Sequence, residues 1–214
     1  MSERRPTILL TGFGPFPGVP ENATAELVPE VAREARKRWP GFHLETAVLP
    51  TEWRAAPETV VDLITELKPA VALHFGVSSS AYGFTIESRG ENRARPICDA
   101  AGHLPPSDRL SPEGPNFLTA SFPARHIVER LRRRALPVSL SRDAGGYLCN
   151  AVLYRSLERA RRVGRPIRCG FAHVPAALGR KTSSSPIPAR LGWEQAISGS
   201  LEIIAATLGR PFPA

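Results

Sequence analysis

Apolar runs of strand length alternate with amphipathic stretches of helical period along nearly the whole sequence, and this alternation constrains the fold more than any other feature. Thr7 to Thr11 is a short β-like run ending at Gly12, followed by a Pro/Gly-rich loop that carries Phe13 and Phe16. Leu27, Val28, Val31, Ala32 and Ala35 then recur at helical spacing, with Asn22 or Thr24 as cap and an end near Trp39. His43 to Leu49 alternates as a strand, and Val60, Val61, Ile64 and Leu67 mark a second helix stopped by Pro69. Ala70 to Phe75 is continuously apolar, as a buried parallel strand is. Further on come a helix at Ile127, Val128, Leu131 and Leu136, a short strand from Pro137 to Leu140, and a helix from Ala151 to Val163. A buried strand from Ile167 to Val174 and a last helix from Ala189 to Leu208, begun near Pro188, complete the pattern. Strands separated by helices predict a three-layer α/β/α sandwich around a largely parallel, mixed sheet, in one domain over residues 1–214. Catalytic groups in such a sheet are expected beyond the C-terminal ends of its strands.

The stretch from Gly76 to Leu118 breaks the rhythm, with Tyr82 to Ile86 its one clear strand candidate, and a loop that long inside a compact domain points to function. No run of eighteen apolar residues occurs, so no membrane span is expected, and the N-terminus lacks the pattern of a secretory signal. Cys98, Cys149 and Cys169 are an odd, widely spaced trio, which argues against a disulfide framework and for free thiols in the cytoplasm. The net charge of +8 raises a second class of reading, an arginine-rich nucleic-acid-binding protein. Against it, the arginines are scattered, no aromatic residues interleave with them, and the densest cluster (Arg130, Arg132, Arg133, Arg134) closes an amphipathic segment, where cations favour a helix C-terminus. The histidines show no HExxH or paired spacing and the cysteines no CxxC, so no metal site and no cofactor are expected.

Chemistry concentrates around Cys149, which follows Gly145 and Gly146 and opens a helical run. A cysteine in the first turn of a helix faces the positive end of the dipole and unpaired N–H groups, an environment that favours thiolate. The same position also suits a small packed hydrophobe, so a nucleophile there needs a base. His173, at the end of a buried strand and before a proline, supplies one. A carboxylate must orient the imidazole; Glu87 is the best placed, with Asp99, Asp108 and Asp143 as rivals.

Three separated segments resemble the pyroglutamyl peptidase I (pyrrolidone-carboxylate peptidase) family of cysteine peptidases: Thr11-Gly-Phe13-Gly-Pro15-Phe16, Ala144-Gly-Gly-Tyr-Leu-Cys149-Asn150 and Gly170-Phe-Ala-His173-Val-Pro175. Glu87, with Asn92 five residues on, is similar to a fourth feature of that family. The resemblance implies an α/β/α thiol exopeptidase acting on peptides with an N-terminal pyroglutamate, with Cys149 as nucleophile, His173 as acid/base and Glu87 completing the triad. It also implies assembly as homodimers or homotetramers and no metal. A lactam ring carries no ammonium, so its pocket calls for apolar faces, which Phe13 and Phe16 can supply. The chain departs from the family at Gly14 and Pro17, in the segment Val77-Ser-Ser-Ser-Ala-Tyr82, and at Ser88, which follows the glutamate where arginine is usual. These departures fall on substrate-binding segments, so the alternative is a related thiol hydrolase of altered acyl specificity, or an inactive relative.

Overall fold

Side-chain parity along the strands sorts the protein into layers. In the computed structural model, which describes residues 5–178 and 191–209, six strands form one sheet in the order β2-β1-β3-β8-β4-β7. These are β1 (Thr7–Phe13), β2 (His43–Leu49), β3 (Val71–Ser78), β4 (Phe84–Glu87), β7 (Val138–Ser141) and β8 (Arg168–Pro175). Ile8, Leu10, Leu73, Phe75, Ile86, Ala172 and Val174 face one side. There they pack on α1 (Ala23–Arg38), α3 (Ala124–Arg133) and α5 (Trp193–Leu208). Leu9, Phe13, Ala72, Cys169 and Phe171 face the other side, against α2 (Ala55–Leu67) and α4 (Leu148–Ala160). The alternation of period two along each strand produces both cores of the α/β/α sandwich.

Strands β2, β1, β3 and β8 run parallel, from one edge through the centre, whereas β4 is antiparallel to β8 and parallel to β7. The mixed sheet expected from the sequence is thus parallel at its centre and reversed at one edge. The long irregular segment also holds a pair of strands that hydrophobic pattern missed, β5 (Arg89–Glu91) and β6 (Phe117–Thr119), which form a separate two-stranded sheet. Three residues each, with charges on β5, leave no periodicity to read.

Boundaries shift for local reasons. The first strand continues to Phe13 because Gly12 lets it run against the start of α1, where a Cβ would come within 2.4 Å of the Thr24 carbonyl oxygen. Helix α2 begins at Ala55, ahead of its apolar stripe, and ends at Leu67, with Lys68 as its cap in the left-handed region just before Pro69. Helix α4 begins at Leu148, three residues before the predicted start, which places Cys149 inside its first turn. Helix α5 begins at Trp193 with Gly192 as cap, later than predicted, and Pro188 and Ala189 lie outside the described residues. Among the described residues no helix is long and apolar enough to cross a membrane. Within the arginine cluster, Arg130 is buried and donates from Nε to Glu202 at 2.6 Å, with Arg134 on the same carboxylate at 3.2 Å. Two of the four cations therefore tie α3 to α5.

Candidate active site

One register row across the sheet sets the geometry. On β8, His173 lies opposite Gly76 of β3 on one side and Thr85 of β4 on the other. By parity its side chain shares a face with Phe171, the face covered by α4. A Cβ added to Gly76 would come within 2.9 Å of the Cys149 sulfur and 2.8 Å of the Phe171 ring, so the missing side chain of β3 is the space the thiol occupies. Gly76→Ala should therefore lower the alkylation rate of Cys149 and destabilise the protein by about 1–3 kcal/mol, the usual cost of overpacking. Measuring the reaction with iodoacetamide and the melting curve together checks it, and an unchanged alkylation rate would contradict this placement of the sulfur.

Cys149 reaches that space from the second position of α4. The cap residue Tyr147 is extended and makes no side-chain capping bond, and the first intrahelical bond runs from the Ala151 N–H to the Tyr147 carbonyl. The N–H groups of the first turn, the turn that carries Cys149, thus lack intrahelical acceptors. Asn150, fully buried, holds the helix start in place: its Oδ1 accepts from the Glu91 N–H and its Nδ2 donates to the carbonyls of Glu91 and Arg93. Gly146 allows Arg95 to cross the loop before the helix, where a Cβ would sit 2.4 Å from the Arg95 Cγ.

The Nδ1 of His173 is 2.9 Å from Oε1 of Glu87, and both residues are buried. The other carboxylate oxygen of Glu87, Oε2, has no partner among the described residues. Burial alone would lower the pKa of His173, but the charge and hydrogen bonding of the Cys149 sulfur and of Glu87 outweigh it and push the ring up to about 10. Glu87 arrives from a direction the sequence did not suggest. Because β4 is antiparallel to β8, its C-terminal end lies opposite Phe171, one pleat deeper in the sheet than His173. The carboxylate is therefore a core group, 1% exposed, and not a residue beyond the sheet's C-terminal edge.

The rival carboxylates are occupied elsewhere. Asp99 accepts the backbone N–H groups of Trp53, Ala101 and His103, and Asp108 lies in an exposed loop beside Ser107. Asp143 borders the cleft but binds Arg93 and the Gly145 N–H, contacts that hold its carboxyl below the usual range against the effect of burial. Asn92 also lies away from the reacting groups and holds the Ser111–Gly114 turn. The other cysteines differ in kind: Cys98 is exposed, whereas burial pushes the Cys169 thiol up to about 12. His74, buried between Thr11 and Cys169, is pulled down to about 3 and remains neutral.

A cleft of about 460 Å³ opens over these groups and is lined by Cys149, His173, Glu87, Phe13 and Phe16 together. Tyr147 also lines it, with its ring 6.1 Å from Phe16 and edge-on to Trp53 at 5.3 Å. Phe13 is buried against Phe171, ring centres 6.3 Å apart, while Phe16 is half-buried at the rim. The divergent segment supplies Ser78, Ser79 and Ser80 to the same rim, and Ser88 holds β4 to β7 through two bonds to the Ser141 carbonyl. Pattern analysis missed Gly76, Tyr147 and Thr85. For Gly76 a signal existed, a glycine directly after a buried apolar strand.

A helix-borne thiol, an imidazole and a buried carboxylate on one face of an α/β/α sheet, with a small aromatic-walled cleft above them, define the class as a cysteine hydrolase. The chain belongs to the pyroglutamyl peptidase family, whose model matches residues 6–204. It is 35% identical over 190 residues to a pyrrolidone-carboxylate peptidase of Deinococcus radiodurans, covering 86% of each chain. It is 29% identical over 210 residues to that of Thermococcus litoralis, covering 92% of this chain and 94% of the relative. Among solved structures it resembles a mutant pyrrolidone carboxyl peptidase of Pyrococcus furiosus, with TM-score 0.84 and 26% identity over 95% of this chain and 98% of that one. Pyroglutamyl peptidase I of Bacillus amyloliquefaciens matches with TM-score 0.82 and 25% identity over 94% and 96% of the two chains.

Proposed function

We propose that this protein is a thiol exopeptidase that hydrolyses the amide bond after an N-terminal pyroglutamyl residue of peptides. The observation that carries the reading is the convergence of Cys149, His173 and Glu87 with Phe13 and Phe16 in one cleft. His173 turns Nδ1 to Glu87, which leaves Nε2 for the proton of the Cys149 thiol. The sulfur attacks the pyroglutamyl carbonyl carbon, and first-turn N–H groups of α4 stabilise the oxyanion. The imidazolium then protonates the leaving amine as the C–N bond breaks, giving a pyroglutamyl thioester. Water, deprotonated by the now neutral imidazole, hydrolyses the thioester, releases pyroglutamate and returns the thiol. Glu87 holds the ring in the orientation and tautomer that serve both steps.

The lactam has two faces and no charge, which suits apolar walls in a cleft whose carboxylates, Glu87 and Asp143, are already engaged by His173 and Arg93. Phe16→Ala should raise KM for a pyroglutamyl amide about five- to tenfold, corresponding to about 1 kcal/mol or somewhat more for one ring face, and leave Cys149 alkylation unchanged. Phe13→Ala should show the same KM effect together with a lower melting temperature, because that ring is also core. If kcat/KM of both variants equals the parent's, the aromatic ring site is misplaced.

The decisive experiment is release of a chromophore from a pyroglutamyl amide beside a prolyl amide and a free-amine alanyl amide. Cleavage of the first alone is expected. A second reading, a related hydrolase of different acyl specificity, draws on the serines that line the rim in the divergent segment, and cleavage of another amide in preference would favour it. We further place the protein in the cytoplasm, where free thiols persist, as a homodimer or homotetramer; sedimentation at micromolar concentration tests the assembly.

A further inference from the structure

We propose that Asn22 and Thr51 are positioning residues for the ring-binding wall of the cleft, acting through the Gly14 carbonyl that both hold. This rests on the reading that Phe13 and Phe16 receive the acyl ring.

Gly14 sits between the two phenylalanines, and its carbonyl oxygen accepts from Asn22 Nδ2 at 3.0 Å and from Thr51 Oγ1 at 3.0 Å. Its own N–H donates to the Leu49 carbonyl at 3.0 Å. A carbonyl oxygen has two lone pairs, so the peptide plane after Gly14 is held from two sides. The donors come from unrelated segments, one at the start of α1 and one beyond β2, yet both side chains are only 5% exposed and both line the cleft.

The other half of Asn22 explains why an amide stands there. Its Oδ1 accepts the Thr24 N–H at 3.1 Å and the Thr24 hydroxyl at 2.8 Å, and that hydroxyl accepts the Phe13 N–H at 3.0 Å. Helix capping needs only an acceptor, which serine or aspartate supplies as well. The donor half of Asn22 does nothing for the helix and closes the loop from Gly14 to Asn22 that carries Phe16. Within that loop Phe16 and Val19 exchange backbone bonds of 3.1 and 2.8 Å, so the ring at the rim is fixed once the loop ends are.

The test separates cap from clasp. Asn22→Ser keeps an acceptor for α1 and loses the donor, Thr51→Val loses the other donor at nearly constant shape, and Thr51→Ser restores it. For Asn22→Ser and Thr51→Val, KM on a pyroglutamyl amide is expected to rise about tenfold, as for one buried hydrogen bond. Turnover number and Cys149 alkylation should stay near the parent's while the melting temperature falls by only about 2–4 °C, and Thr51→Ser should have the parent's KM. Amide hydrogen exchange, which needs no substrate, should accelerate at Gly14, Phe16, Gly18 and Val19 and not in α4. Unchanged KM and exchange in both donor-deleted variants would overturn the proposal. So would a fall in turnover and alkylation that tracks lost stability, since that marks a merely structural role. If the parent cleaves no pyroglutamyl amide, the functional reading fails, and the exchange pattern alone still decides whether the clasp positions the loop.

Discussion

Cys149→Ala is expected to abolish cleavage of a pyroglutamyl amide, with kcat/KM lower by on the order of 10⁴-fold or more, as when the nucleophile of a catalytic unit is removed. Cys98→Ala and Cys169→Ala should keep most of the activity. The contrast follows from placement. Cys149 alone stands at a helix start beside an imidazole, while Cys98 is exposed on a loop and Cys169 is buried beneath His74 with its thiol pushed up to about 12. A Cys169→Ala protein should show its loss in melting temperature rather than in rate, since it gives up core packing only. The measurement is kcat/KM for the three variants and the parent on one amide. Substantial activity in Cys149→Ala would remove the thioester mechanism outright.

His173→Ala should slow both turnover and alkylation, by about 10²–10⁴-fold for the acid/base part of turnover. The variant takes away the acceptor of the thiol proton and the donor to the leaving amine together. The pH profile gives the sharper test. With the ring pushed up to about 10 by Cys149 and Glu87 against the effect of burial, His173 stays protonated where an ordinary histidine, near 6.5, is neutral. The alkaline limb of kcat/KM should therefore fall only as pH approaches 10. Glu87→Gln removes one of the raising charges and should move that limb to lower pH while lowering kcat. In Cys149→Ala the histidine's titration, followed by NMR, should likewise shift down, because the largest raising contribution has gone. A limb already falling near pH 7 in the parent would mean that His173 is not held as an imidazolium.

Much of this site was legible in the chain. Strand-length apolar runs at Thr7, Ala70 and Ile167 placed three central strands, because burial on both faces leaves a continuous apolar signal that survives in one dimension, and alternation from His43 placed the edge strand beside them. Cys149 was marked by its glycines and the helix after it, and His173 by the proline that ends its strand. These are local properties, and local sequence carries them.

Other features belong to the assembled sheet. In one dimension Glu87 was the best placed carboxylate but kept Asp99, Asp108 and Asp143 as rivals; the reversed pairing of β4 on β8 puts Glu87 opposite Phe171 and against the His173 ring. Gly76 acquires its meaning only in register with His173, where its absent side chain becomes the space for sulfur. The clasp on Gly14 joins residues 14, 22 and 51, which no periodicity relates. Short-range pattern reports which face of its own element a residue occupies. Strand order and direction decide which faces meet, and pairing between distant strands, with its loop closures and hydrogen-bond registers, is fixed only when the whole sheet forms.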